Sequence, residues 1–67
     1  MRWQVTVSVS DMDASVTYEG EAETLIGVYH TLVSPALAAF ERAAPEAGDV
    51  TAPRPGRSVT VTVAPAE

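Results

Sequence analysis

An α+β domain of order β-β-α-β is the fold class this sequence predicts, and three observations predict it. Two segments near the start and one near the end alternate polar with apolar residues. One segment between them repeats about every 3.6 residues. A proline- and glycine-rich stretch separates that segment from the last alternating one. With 67 residues the chain allows one small domain, residues 1–67.

Residues 2–10 (RWQVTVSVS) put Trp3, Val5, Val7 and Val9 on one side of an extended chain and Arg2, Gln4, Thr6 and Ser8 on the other. This is the pattern of a strand with one buried face. Asp11, Met12 and Asp13 form a polar turn, after which Ala14, Val16 and Tyr18 alternate with Ser15, Thr17 and Glu19 as the second arm of a hairpin. Val59, Val61 and Val63, interleaved with Ser58, Thr60 and Thr62, make the third strand.

Laid on a wheel at about 100° per residue, positions 22–44 gather their apolar side chains into an arc roughly 180° wide. Leu25, Ile26, Val28, Tyr29, Leu32, Val33, Ala36, Leu37, Ala39, Phe40, Ala43 and Ala44 lie in it; Glu23, Thr24, Gly27, His30, Thr31, Ser34, Glu41 and Arg42 lie opposite, with Ala38 the one apolar residue among them. Glu21 and Glu23 fall where a helix's first turn favours negative charge, and Pro45 with Gly48 ends the element. Pro35 lacks the N–H that a helix interior needs. Either Ser34 caps a second helix or one helix bends, and the unbroken phase of the stripe favours one long, Pro-bent helix. The expected architecture has two layers: a three-stranded, mainly antiparallel sheet with the first arm central, covered on one face by that helix. Residues 45–57, with three prolines and two glycines, read as a mobile loop, and residues 64–67 as a frayed tail.

Composition narrows function. Nine acidic residues against four arginines give a net charge of −5, which disfavours nucleic acid and anionic membrane surfaces. No apolar run has the length of a membrane span, and the first ten residues alternate instead of forming a signal-peptide core. With no cysteine there is neither a disulfide nor a thiolate zinc site, and a reducing cytoplasm is the expected location. All basic residues are arginine and none is lysine, the usage of a GC-rich genome.

Each residue suited to chemistry has a plainer reading. His30, the sole histidine, borders the two arcs with no local carboxylate or nucleophile to work with, and reads as a surface residue. Asp11 and Asp13 would open a calcium loop only with a glycine at its sixth position and a glutamate at its twelfth, where Val16 and Ala22 stand. Arg54 and Arg57 in PRPGR resemble a scrambled minor-groove hook, which the net charge opposes. Trp3 and Tyr18 meet across the hairpin as packing aromatics.

The excess width of the helix arc and the two sheet edges, whose exposed faces carry Thr and Ser and not the lysines that discourage strand addition, point to association. The expected function is a small acidic, non-enzymatic protein-interaction module: an adaptor or inhibitor, such as a phage or bacterial accessory protein. It would act as a homo-oligomer, on a larger protein, or both, through a sheet edge and the helix flank. Expected partner-binding residues are Glu19, Glu21 and Glu23 in an acidic cluster, Val28 and Leu37 on the helix, and Thr60 and Thr62 on the last strand. A structural subunit of a larger assembly, such as a virion or shell component, is the alternative. No catalytic residue, cofactor or metal ligand is expected.

Overall fold

The computed structural model describes residues 1–66. Its elements are strand β1 (Arg2–Val9), strand β2 (Ala14–Glu21), helix α1 (Leu25–Thr31), helix α2 (Val33–Ala43), a 3-10 turn (Pro45–Ala47) and strand β3 (Val59–Pro65). The strands form one antiparallel sheet in the order β2-β1-β3, so of the two arms beside which the third strand could join it takes the first, which is central as expected. Val5, Val7 and Val9 are fully buried on β1. Their neighbours on the two edge strands, Val16, Tyr18, Val59, Val61 and Val63, are half-buried, because α2 packs over β1 and β2 and is offset from β3.

At the hairpin, Asp13 takes a φ of 50°, a left-handed conformation that aspartate tolerates better than most residues. Met12 folds back on the core, its N–H donating to the Val9 carbonyl at 3.4 Å. Trp3 stands opposite Gly20 and diagonal to Tyr18, and its indole N–H donates to the Ala22 carbonyl at 3.0 Å. A half-buried ring thus keeps its polar end satisfied. Gly20 is required by close approach: a Cβ there would stand 2.5 Å from Cδ2 of Leu32.

The single bent helix expected from the stripe is two helices. Pro35 has no N–H to give the Thr31 carbonyl, so the chain breaks at Leu32 (φ −107°, ψ −25°). Proline then occupies the third position of α2, where a backbone N–H has no partner within the helix and its loss costs little. Ser34 does not cap α2; Leu32 precedes the helix without a side-chain cap. Backbone bonds still bridge the joint, from Leu32 N–H to the Val28 carbonyl at 2.8 Å and from Ala36 N–H to the Leu32 carbonyl at 3.0 Å. Val28, Leu32, Ala36, Phe40 and Ala44, each four residues from the last, are all buried. A step of four overshoots a full turn by about 40°, so one straight helix would rotate this row off the sheet. Across the joint the row stays in one buried cluster with the valines of β1.

The start of α1 also differs from the expectation. β2 continues through Glu21, Thr24 is the N-cap with its hydroxyl accepting from Gly27 N–H at 3.0 Å, and no acidic residue lies in the first turn. A capping hydroxyl serves where helix-dipole compensation by Glu21 and Glu23 is expected.

The stretch 45–57 is attached to the domain at several points. Ala47 and Val50 are buried, and Glu41, expected on the solvated arc, accepts from Val50 N–H at 3.0 Å. Gly48 closes the 3-10 turn at φ 69°. At the other end of β3, Ala64 and Pro65 belong to the strand and Ala66 N–H donates to the Arg2 carbonyl at 3.1 Å. Glu67, the last residue of the expected frayed tail, lies outside the described residues.

Candidate functional site

Two surfaces and a depression stand out among the described residues once the core is assigned. On α1 the only buried residue is Val28; Leu25, Ile26 and Tyr29 are 48%, 69% and 56% exposed. The apolar arc of the sequence is therefore divided by the break. The row that begins at Val28 goes to the sheet, and the surplus stands on the outside of a two-turn helix. Its source is geometric, since a helix of seven residues packed on one side cannot bury more than one stripe.

The second surface is the outer edge of β3. Ser10 N–H donates to the Ser58 carbonyl at 3.0 Å, and Ala66 N–H donates to the Arg2 carbonyl. These bonds fix the ladder: even-numbered residues of β3 turn their backbone groups toward β1, and Val59, Val61 and Val63 turn theirs outward. Pro65 fits the same phase, its missing N–H falling on the unpaired side. No charged side chain lies between Ser58 and Ala66.

The depression, about 260 Å³, lies at the hairpin end of the sheet, on the side of β1 opposite the buried valines. Hydroxyls of Ser8, Ser10, Ser15, Ser58 and Thr60 line it with the Asp13 carboxylate. The sole histidine, His30, is exposed in the last turn of α1, on another element. Among the described residues no three His, Cys, Asp or Glu side chains gather as a metal site.

The predicted partner residues separate into three places. Thr60 and Thr62 are exposed on β3, on the side of the strand away from the core. Val28 is fully buried and belongs to the monomer's own core, and Leu37 is half-buried against it on α2. The three glutamates do not stand together at a helix start. Glu19 and Glu21 lie on β2, and Glu23 in the connection to α1. Glu19 receives hydrogen bonds from Arg2 at 3.0 Å and from Gln4 at 3.4 Å, which hold its carboxyl below the ordinary value of 4.5. Asp49 is likewise lowered by the Thr51 hydroxyl at 2.6 Å and the Thr51 N–H at 2.9 Å.

Arg57 is not available to phosphate. Its side chain is 3% exposed; Nε donates to both oxygens of Asp11 at 3.0 and 3.1 Å, and the terminal nitrogen Nη1 to the Ala47 carbonyl at 2.9 Å. One guanidinium thus ties the hairpin turn, the 3-10 turn and the entry to β3. Local sequence gives no sign of this, because its partners are 46 and 10 residues away. The sign is in the register: with Val9 opposite Val59, the antiparallel count continues to Asp11 opposite Arg57.

No protein-family model, curated protein or solved structure matches this chain.

Proposed function

We propose that this chain is a small acidic, non-enzymatic protein-interaction module, an adaptor or inhibitor of phage or bacterial type working in a cytoplasm. The carrying observation is the exposure of Leu25, Ile26 and Tyr29 together on α1. Three large apolar side chains on two helical turns lose favourable burial energy in water and regain it against a partner. In this reading the sheet and helices form two layers and α1 stands at the margin of the helical layer, free to dock. The net charge of −5 favours a partner with a basic rim around an apolar groove.

The test compares the wild-type chain with Ile26→Glu/Tyr29→Glu, two changes at exposed positions that leave the far-ultraviolet circular dichroism unaltered. Each is immobilised and exposed to host-cell lysate. A protein retained at stoichiometric level by the wild type and lost by the double variant is the expected result. Equal retention by both, or none by either, overturns the reading.

A further inference from the structure

The outer edge of β3 is the surface on which the backbone and the sequence agree furthest. We infer that β3 pairs antiparallel with β3 of a second copy across a twofold axis at Val61, joining two sheets into one of six strands. This deepens the interaction reading above by naming the occupant of the sheet edge.

Residues 59–63 read V-T-V-T-V, a palindrome centred on Val61. Antiparallel pairing about that centre sets valine opposite valine and threonine opposite threonine. Val61 exchanges backbone bonds with Val61 of the second copy, and Val59 with Val63 of the second copy in both directions. These are the residues whose N–H and C=O point away from β1, so every outward group of residues 59–63 finds a partner. Other centres serve less well. An axis at Val63 places Pro65, which has no N–H, opposite Val61. An axis at Val59 carries the pairing onto Arg57, whose N–H already donates to the Arg54 carbonyl at 3.1 Å.

Charge selects this edge over the other. β2 carries Glu19 and Glu21, and pairing it with a second β2 adds carboxylates to one seam between two chains of net charge −5. The β3 seam carries none. Packing favours it too, since Val59, Val61 and Val63 are left half-buried by the offset of α2, and a second set of the same valines extends the apolar surface beside them. On the opposite side Thr60 faces Thr62 of the second copy, a pairing this sheet already makes between Thr6 and Thr17, whose hydroxyls lie 3.2 Å apart.

The experiment reads mass and register together. Sedimentation of the wild type over a range of concentrations is compared with Thr60→Lys/Thr62→Lys and with Thr60→Lys/Thr62→Glu. Both variants change exposed positions only. The first sets lysine opposite lysine across the proposed axis, and the second sets lysine opposite glutamate. The wild type is expected at twice 7.0 kDa, falling to 7.0 kDa on dilution. The double-lysine variant is expected at half the wild-type mass where the wild type is dimeric, and the charge-paired variant back at the dimer. Amide exchange at Val59, Val61 and Val63 slows as the wild type associates. A wild type at 7.0 kDa throughout, a double-lysine variant of unchanged mass, a charge-paired variant that stays monomeric, or an open series of larger particles each overturns the proposal. Ile26→Glu/Tyr29→Glu leaves the dimer intact. A monomeric wild type that still captures a protein through α1 therefore sinks the dimer alone, and a dimer without that capture sinks the α1 reading alone.

Discussion

Replacing Arg57 with alanine tests whether one buried side chain holds the long connection to the hairpin. The guanidinium is 3% exposed and bridges Asp11, itself 30% exposed, and the carbonyl of fully buried Ala47. Hydrogen bonds to a charged group contribute about 1.5–3 kcal/mol, and a buried carbonyl left unpaired costs about 1–3 kcal/mol. Asp11 can turn to water, so its share is discounted, leaving a loss of about 2–4 kcal/mol in all. A chain of this size has roughly 3–10 kcal/mol in total, so the change is a large fraction of it. With a urea slope of about 1 kcal/mol per molar, the unfolding midpoint falls by about 2 M or more. The assay is urea unfolding followed by fluorescence of Trp3, the single tryptophan, at one fixed protein concentration because association adds to apparent stability. Arg57→Lys keeps the charge but not the planar fork, and recovers less than half of the loss. A loss below about 0.5 kcal/mol for Arg57→Ala, the range of an ordinary surface change, refutes the account of Arg57 as a structural tie.

Two further outcomes follow from local geometry. Gly20→Ala places a methyl 2.5 Å from Cδ2 of buried Leu32 at the joint of the two helices, and thermal unfolding is expected to show a loss of about 1–2 kcal/mol, overpacking outweighing the entropy gained in the unfolded chain. On acidification, Glu19 contributes stability above its ordinary value of 4.5, because its folded value is depressed, and loses it as pH falls through that folded value. Urea midpoints are therefore expected to fall more steeply below about pH 4.5 in the wild type than in Glu19→Gln, and parallel curves would refute the Arg2 and Gln4 contacts as their cause.

The strands were legible because their signal is local. Period-two alternation assigns each residue of 2–9 and 59–63 to a face without reference to any other segment, but leaves open beside which hairpin arm the third strand joins; the first arm, favoured as central, is central. The helix was half legible. The row Val28, Leu32, Ala36, Phe40 and Ala44 was visible on the wheel, and the same continuity of phase concealed the break at Leu32. A wheel records the phase of side chains and is blind to a missing backbone N–H, so Pro35 was outweighed although that N–H decides the matter.

The candidate surfaces divide the same way. Thr60 and Thr62 are exposed as their alternation requires, whereas the glutamates were placed by a helix start that Thr24 sets later in the chain, and Val28, placed on the helix flank by the apolar arc, is buried in the core. The exposure of Leu25, Ile26 and Tyr29 was present in the sequence only as surplus width of the arc. Where that surplus lies depends on which side of α1 packs inward, a property of more than one element.

By itself the sequence determined which residues extend, which coil and which side of each strand is apolar, because periodicity and turn chemistry act over a few neighbouring residues. Tertiary structure alone decided that Arg57 meets Asp11 and Ala47, that Gly20 makes room for Leu32, and that α2 covers β1 and β2 but leaves the β3 valines half-exposed. These contacts join segments distant in the chain. Their partners are chosen by strand order and helix placement, which no single segment encodes.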